Sequence, residues 1–350
     1  MDTTRALAQS LIEAVDDPVL VVDDGPRVSA FNAAAHKLWP SAAAGKPLTF
    51  IVRSPDVLDA VERVLGGERR IAGTWSERVP VERLFAFTVS PVASVDPAAP
   101  ARAAIVFRDL TEARRLDMMR VDFIANASHE LRTPLASVLG FIETLEGPAR
   151  EDLAVRDRFL AIMKGQAQRM ARLIEDLLSL SRVEMNEHRR PDSPVELSLI
   201  ARQIVETLRP LAEERGVAVT CTVPDPDIVV AGARDELLRV AENLVENAIK
   251  YGQSGKRVDV TVDIDEADPA GPQARLSVRD YGPGIAAVHQ PRLTERFYRV
   301  DSGDSRDKGG TGLGLALVKH IVNRHRGRLT IESRPGEGAC FRVTLPLLPS

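Results

Sequence analysis

The sequence predicts a chain of three parts: an α/β unit, a long helical hairpin and a second α/β unit. Short apolar strands separated by turn residues occupy the first hundred residues. Two long segments with apolar residues at three- and four-residue intervals follow, and helices alternate with strands from about residue 195 onward. A length of 350 residues agrees with two to three domains at roughly 150 residues each. We predict domains at 1–110, 111–190 and 195–348.

Composition narrows the class of protein. Hydrophobic residues make up 44% of the chain and charged residues 27%, and the net charge of −4 gives no electrostatic reason to expect binding to nucleic acid or anionic lipid. No stretch approaches the roughly 18 to 20 apolar residues of a membrane span, and no signal peptide is visible. Cys221 and Cys340 form no metal-type cluster. We therefore expect a cytoplasmic chain, or the cytoplasmic portion of an inner-membrane protein whose anchor is absent here.

The first part has the pattern of a small sensor module. Asn32 is placed to cap a short helix over 33–39, and turn chemistry separates the first two strands. Strand segments are predicted at 18–22, 28–31, 77–91 and 101–108, with a Pro/Ala-rich loop at 94–100. This order resembles a PAS domain. The run FRDLTEARR at 107–115 resembles the link from a PAS domain into a following helix.

The pattern of the second part predicts two amphipathic helices that form a hairpin, with a break at Glu146-Gly147-Pro148. Each helix carries one apolar seam, and such seams pair well when two hairpins form a four-helix bundle, so we expect a homodimer. Gln166 is the one polar seam position and can help to fix the register. The seams are Ile124, Ala127, Leu131, Leu135, Val138, Ile142 and Leu145 in the first helix, and Phe159, Met163, Gln166, Met170, Leu173, Leu177 and Leu180 in the second.

A histidine and a proline interrupt the first helix in the stretch FIANASHELRTPLASVLGF, residues 123–141. At about 100° per residue, His129 lies nearly opposite the seam and is predicted to be exposed. Thr133 shares that face one turn later, and Pro134 removes a backbone hydrogen bond and should kink the helix. For a lone histidine, a solvated surface residue before an incidental kink is the better interpretation.

The surrounding residues favour a functional histidine instead, because His-Glu-Leu-Arg-Thr-Pro resembles the phosphoacceptor box of sensor histidine kinases. The resemblance implies that His129 takes the γ-phosphoryl group of ATP, with Glu130 as orienting base, and then passes it to an aspartate of a response regulator. Glu130 and Thr133 also resemble the phosphatase motif of bifunctional kinases, in which the threonine aligns a water. The plainer alternative is that Thr133 only relieves backbone strain before the proline.

A kinase needs a nucleotide site, and ELLRVAENLVENAIKYG at 236–252 resembles the N box of the GHKL ATP-binding fold. Asn243, Asn247 and Lys250 fall at helical spacing on one face. The resemblance makes Asn247 a Mg²⁺ ligand and places Asn243, Lys250 and Tyr251 near the phosphates. The alternative is an amphipathic helix with a solvated face, although asparagine is a poor helix former.

Three further elements follow in the order of that fold. In DYGPGI, 280–285, the resemblance implies that Asp280 binds the adenine amino group, while Gly282 and Gly284 allow close backbone approach. In ERFYRVD, 295–301, Phe297 would pack a lid and Arg299 could reach the γ-phosphate. In GGTGLGLAL, 309–317, glycines open a helix and present N–H groups to phosphate. The residues proposed there are Gly310, Thr311, Gly312, Leu313, Gly314 and Leu315, after a polar segment, 301–308, predicted to be a mobile lid.

Taken together, the resemblance covers 111–346 and implies a C-terminal GHKL-type α/β sandwich, with ATP and Mg²⁺ as cofactors. The strings PRLTERFYRVD and VKHIVNRHRGRLTIES resemble the sensor kinases of the phosphate regulon. The resemblance implies a partner of the OmpR type, a transcription factor that receives the phosphoryl group on its receiver domain. Such kinases are normally anchored by N-terminal membrane segments. One departure is Leu293, where the wider pattern often has phenylalanine.

Two other functions would use the same ATP-binding fold. A GHKL ATPase that hydrolyses ATP needs a glutamate where Asn243 stands, and a non-enzymatic adaptor would be expected to have lost one of the boxes.

Overall fold

In the computed structural model of the chain, the described residues are 9–77, 82–93, 102–147, 152–186, 189–266, 268, 271–300 and 310–348. The predicted loop at 94–100 and the predicted lid at 301–308 lie outside these residues. The chain divides into two compact units, Met1–Ile124 and Ala125–Ser350. None of the helices within the described ranges carries an apolar segment of membrane-spanning length.

The first unit is built on a five-stranded antiparallel sheet with the order β2-β1-β5-β4-β3. Asn32 caps α1 as predicted, because its side chain accepts a hydrogen bond of 2.9 Å from the Ala35 amide. Large aromatic side chains such as Phe85 and Phe107 are fully buried in the core. The elements are β1 Val19–Asp23, β2 Val28–Phe31, α1 Ala33–Leu38, α2 Pro55–Leu65, β3 Ile71–Glu77, β4 Arg83–Pro91 and β5 Arg102–Asp109.

The sequence prediction missed α2 and β3 and treated the region 77–91 as one strand. A signal for α2 was present, since Ser54 caps the helix and Pro55 occupies its first turn. The strand β3 contains Ala72 and Gly73, and glycine weakens the strand pattern. Gly73 is required there because a Cβ at this position would overlap the ring of Phe87.

The hairpin consists of α3, Thr111–Glu146, and α4, Leu153–Met185. At the start of α4, the Asp152 side chain caps the helix, and the rings of Phe141 in α3 and Phe159 in α4 lie 4.7 Å apart. The helix α3 continues through Pro134, which is buried. The predicted seam of α4 is buried or half-buried along its length, whereas Ile124, Leu135 and Ile142 of the α3 seam are exposed in the single chain.

The C-terminal part of the second unit is an α/β sandwich. Its five-stranded sheet has the order β11-β12-β10-β9-β7, with β7 parallel to β9 and the other neighbours antiparallel. Alternate residues of β9 and β10 are buried beneath the helices, which explains their alternating sequence. The elements are β6 Pro194–Glu196, α5 Leu197–Glu214, β7 Ala218–Thr222, β8 Val229–Ala231, α6 Arg234–Tyr251, β9 Arg257–Asp265, β10 Gln273–Asp280, α7 Gly314–Arg324, β11 Arg328–Ser333 and β12 Ala339–Pro346.

The predicted helices and strands of this part are confirmed in type and order, apart from the small two-stranded sheet of β6 and β8, which was not predicted. The helix predicted to begin at 312 begins at Gly314.

Candidate active site

A cavity of about 510 Å³ opens between α6, the end of β10 and the start of α7. The structure brings most of the predicted nucleotide residues to this one place. Gly282 and Leu313 do not line the cavity, although Gly282 packs against the lining residue Asp280. Leu293, the departure from the wider pattern, does line it. The predicted residues in the lining are Asn243, Asn247, Lys250, Tyr251, Asp280, Gly284, Arg299, Gly310, Thr311, Gly312, Gly314 and Leu315.

Asp280 ends β10 and is only 6% exposed. Its Oδ1 atom accepts hydrogen bonds from the backbone amides of Gly282, at 2.9 Å, and Ala339, at 3.3 Å. Burial raises the pKa of this carboxyl above its usual range, and the two amide donors partly offset that rise. The oxygen Oδ2 makes no hydrogen bond with any residue that the structure describes, so it is available to accept one from a ligand in the cavity.

Glycines make this end of the cavity possible. A Cβ on Gly252 would overlap the side chain of Asp280, and a Cβ on Gly282 would come too close to the backbone of Gly252. The end of α6 can therefore approach the turn after β10 only where both residues are glycine. Gly252 was missed from the sequence, although it ends the quoted N-box stretch; a glycine after a helix is most simply explained as a C-cap.

The face of α6 forms the next wall. Asn243 and Asn247 line the cavity one helical turn apart, and the Asn243 amide donates to the Arg239 carbonyl at 2.9 Å. A Cβ on Gly314 would overlap Asn243 Oδ1, so glycine is needed where α6 meets α7. Lys250 is 12% exposed, and its ammonium pairs with Glu246 at 2.7 Å. This wall therefore offers amide oxygens together with charged side chains, among them the cations Arg239 and Lys250, which are both paired with carboxylates.

The glycine-rich loop leads into α7. The N-cap residue Leu313 has no acceptor in its side chain, so the first amides of α7 can serve a ligand, and the helix dipole favours an anion there. Gly312 adopts a φ of +72°, and its carbonyl accepts from the Phe297 amide at 2.8 Å. The Thr311 hydroxyl accepts from the Leu313 amide at 3.3 Å and donates to Asp176 Oδ2 at 2.9 Å.

Asp176 belongs to α4, and this helix supplies a wall that sequence reasoning missed. Arg172, Glu175 and Asp176 all line the cavity. Glu175 pairs with Arg239 of α6 at 2.6 Å. Burial raises the pKa of Asp176, and the hydrogen bond from Thr311 opposes that rise. Charged residues beside a heptad seam are usually a solvated face, so nothing in the sequence distinguished these three.

Further contacts join the end of α4 to the α/β part of the fold. Arg296 pairs with Glu184 at 2.5 Å, and the Arg324 guanidinium donates to the carbonyls of Asn186 and Arg189 at 3.0 Å each. These contacts fix the position of α4 beside the cavity in this structure.

The histidine box lies on α3, outside the cavity lining. His129 is exposed, in agreement with the prediction from helical geometry. Glu130 faces α4, where its carboxylate pairs with Arg169 at 3.1 Å. Adjacent residues on a helix do not face each other, which explains why the carboxylate meets Arg169 in this structure. The Thr133 hydroxyl donates to the His129 carbonyl at 3.2 Å.

Two family models match the chain. One, described as the His Kinase A (phospho-acceptor) domain, matches residues 119–186. The other, described as the histidine kinase-, DNA gyrase B- and HSP90-like ATPase, matches residues 232–349. Together they cover the hairpin and the region that forms the cavity.

Two relatives are similar to the chain in sequence, and one solved structure is similar to it in fold. The phosphate regulon sensor protein PhoR of Pseudomonas aeruginosa is 35% identical over 95% of this chain and 72% of its own length. The sensor histidine kinase WalK of Bacillus subtilis is 34% identical over 69% of this chain, which spans only 39% of WalK. A structure of the histidine kinase ThkA in complex with the response regulator protein TrrA has 19% identity and a TM-score of 0.50, and covers 97% of this chain and 98% of the ThkA chain.

Proposed function

Since this chain belongs to the sensor histidine kinases of two-component systems, we propose that it transfers the γ-phosphoryl group of ATP to His129 and then to an aspartate of a response regulator. The observation that carries the proposal is the cavity, which joins a buried carboxylate, an asparagine-bearing helix and the open start of α7. An exposed histidine on α3 of the same chain supplies the acceptor.

Nucleotide fits the cavity by chemistry at both ends. At one end, Asp280 Oδ2 would accept from the adenine amino group, because Oδ1 is already used by backbone amides. At the other end, the amides of the glycine-rich loop and of α7 would face the phosphates. Asn247 would hold Mg²⁺ through its side-chain oxygen, and Mg²⁺ would neutralise phosphate charge. Arg299 lines the cavity and would approach the terminal phosphate.

At His129, the neutral imidazole attacks the γ-phosphorus with one ring nitrogen. The new nitrogen–phosphorus bond forms while the bond to the ADP oxygen breaks, and ADP leaves with the electron pair. The proton on the second ring nitrogen needs an acceptor, and Glu130 is the adjacent carboxylate. In the structure that carboxylate is held by Arg169, so Glu130 has to exchange this partner for the imidazole before it can act.

Hydrolysis of ATP by an activated water is the rival reaction. It would need a base on α6 where Asn243 stands, and the Asn243 amide instead donates to a backbone carbonyl. This residue type supports transfer to histidine rather than to water.

Incubation of the chain with γ-labelled ATP and Mg²⁺ tests the proposal. We expect a label that is labile in acid and stable in alkali, absent from His129→Gln and retained in His36→Gln, since His36 is an exposed residue stacked on Phe31. Equal labelling of His129→Gln would reject the assignment.

We also propose that the kinase acts as a homodimer. Among the large apolar side chains of the described hairpin that are exposed in the single chain, we select six that a second hairpin could cover in a four-helix bundle. Sedimentation of the full chain should report a dimer; a monomer would contradict the bundle. The side chains are Leu135, Leu139 and Ile142 of α3, and Leu160, Ile174 and Leu178 of α4.

A phosphatase activity toward the phosphorylated regulator is proposed for Thr133. In this structure its hydroxyl is bonded to the His129 carbonyl, so it would have to rotate to hold a water. With Thr133→Ala, autophosphorylation should persist while dephosphorylation of the regulator falls; equal loss of both would remove this role.

For the first unit we propose a PAS-like sensor domain, supported by the strand order β2-β1-β5-β4-β3 with helices between β2 and β3. The similarity to the phosphate regulon sensor protein PhoR supports a role in the response to phosphate starvation. For the partner we propose an OmpR-type transcription factor, because the strings PRLTERFYRVD and VKHIVNRHRGRLTIES resemble the sensor kinases of the phosphate regulon. A deletion strain that still induces its phosphate-starvation genes normally would argue against that role.

A further inference from the structure

One wall of the cavity lies outside the α/β part of the fold. Helix α4 contributes the side chains of Arg172, Glu175 and Asp176 to the lining. Two of these three residues are acidic, although the proposed ligand is a polyanion. An anion site that admits carboxylates needs a physical explanation, because like charges at short range repel strongly where water is partly excluded.

The position of Asp176 identifies which end of the ligand it faces. Its carboxylate accepts the hydrogen bond of Thr311, the threonine of the glycine-rich loop, at 2.9 Å. That loop is the phosphate end of the cavity, whereas Asp280 stands at the adenine end. Asp176 is therefore next to the phosphates.

Neighbouring charges do not cancel the repulsion between these carboxylates and the phosphates. Glu175 is 64% exposed, and its ion pair with Arg239 is of a kind that contributes little when solvated. Glu242 and Glu246 of α6 line the same cavity, and Lys250 is already paired with Glu246. The wall shared by α4 and α6 thus holds four carboxylates against the cations Arg172, Arg239 and Lys250.

We propose that Glu175 and Asp176 are nucleotide-selecting residues of the kinase. When α4 lies against the cavity, their carboxylates weaken nucleotide binding in proportion to the phosphate charge, so they disfavour ATP more than ADP. By thermodynamic linkage, ATP must weaken the contact of α4 with the cavity to the same extent. ATP binding and this seating of α4 therefore oppose one another. The inference rests on the proposed function, because it takes the cavity to be the nucleotide site.

The chain supplies a matched control on the same helix. Glu184 pairs with Arg296 and does not line the cavity. It follows Asp176 by two helical turns, about 12 Å along the axis. Glu184→Gln weakens the same contact between α4 and the α/β part without changing the charge at the phosphate end.

The experiment is equilibrium binding of ATP, ADP and adenosine to the full chain, each with and without Mg²⁺. The variants are Glu175→Gln with Asp176→Asn, and Glu184→Gln; asparagine keeps an oxygen for the Thr311 hydroxyl. For the double variant we expect about tenfold tighter ATP, about threefold tighter ADP and unchanged adenosine, with the gain shrinking at high salt. For Glu184→Gln, which leaves both acids in place and only loosens the contact of α4, we expect a smaller gain in the same order of ATP, ADP and adenosine.

A gain for adenosine equal to that for ATP would overturn the inference, because release of α4 and not phosphate charge would then be the cause. Loss of ATP affinity only with Mg²⁺ would also overturn it and would make the two acids helpers of the metal. Failure of the unmodified chain to bind any of the nucleotides would instead reject the proposed function.

Discussion

The two α/β parts of this chain each carry a five-stranded sheet, but they use the space beside it differently. In the first unit, the rings of Trp39, Trp75, Phe85 and Phe107 pack within 5.0 to 6.3 Å of one another and fill the core. In the C-terminal part, glycines and polar side chains leave a cavity of about 510 Å³. Aromatic packing contributes stability, whereas the glycines let helices and turns approach a ligand closely.

The largest expected effect tests the aromatic core of the first unit. Phe85 is fully buried, so Phe85→Ala should destabilise the first unit by about 3–5 kcal/mol through lost burial and the cavity left behind. Thermal or denaturant unfolding would measure the loss, and ATP affinity should not change. A variant that loses ATP binding while the first unit stays folded would show that the two parts are not separable in this way.

The second-largest expected effect tests the polar cavity of the C-terminal part. Asp280→Asn keeps an oxygen for the two backbone amides but places an NH₂ group toward the cavity. We expect roughly 10- to 100-fold weaker ATP binding from the loss of a charged acceptor. Stability should stay the same or increase, because burial raises the pKa of the native carboxyl. Calorimetric titration beside a thermal melt measures both, and unchanged affinity would remove Asp280 from the site.

A smaller effect concerns pH. His325 is fully buried; its Nε2 accepts from the Ala233 amide at 3.0 Å and its Nδ1 bonds the Ile321 carbonyl at 2.8 Å, which requires a neutral ring. Burial lowers its pKa, so the unfolded chain takes up the proton first as pH falls through about 6.5. The stability contribution is complete above that pH and is lost below it, by about 1.4 kcal/mol per pH unit at most.

Denaturant unfolding at pH 7.5 and pH 5.5 measures this loss, with His325→Gln as the comparison because glutamine can still accept from Ala233. Glu236 lies 3.8 Å from the ring, and burial raises its pKa as well, so Glu236 also contributes to the pH dependence of stability. The contribution of His325 is therefore the difference between the two proteins in the unfolding free energy lost from pH 7.5 to pH 5.5. The same pH dependence in both would exclude His325 as its source.

The smallest effect concerns the hairpin. Arg169→Met should release the Glu130 carboxylate and raise the initial rate of autophosphorylation about threefold at saturating ATP. Arg158→Met, an exposed change on the same helix, is the matched control. A fall in rate would mean that Arg169 supports Glu130 in its working position instead of withholding it.

Much of the C-terminal part could be predicted from the sequence because its local signals agree with one another. Alternation marked β9 and β10, helical spacing placed Asn243 and Asn247 on one face, and the glycines before α7 marked a loop. Those signals act over a few residues and do not depend on distant partners.

What could not be predicted depends on contacts between distant segments. Asp176 meets Thr311 across 135 positions of the chain, and Arg169 meets Glu130 across 39. A charged residue on a helix has the same local pattern whether it faces water or a partner, so periodicity could not distinguish these cases. Gly252 was missed for the same reason, since only the fold shows that Asp280 packs against it.

The central claim is that the cavity delivers a phosphoryl group to His129. Its most direct test is mass-spectrometric mapping of the chain at neutral pH after incubation with ATP and Mg²⁺, beside Asp280→Asn at the same ATP concentration. We predict one phosphorylated position, His129, with much lower occupancy in Asp280→Asn. Phosphate at a different residue, or equal occupancy of His129 in both proteins, would contradict the claim.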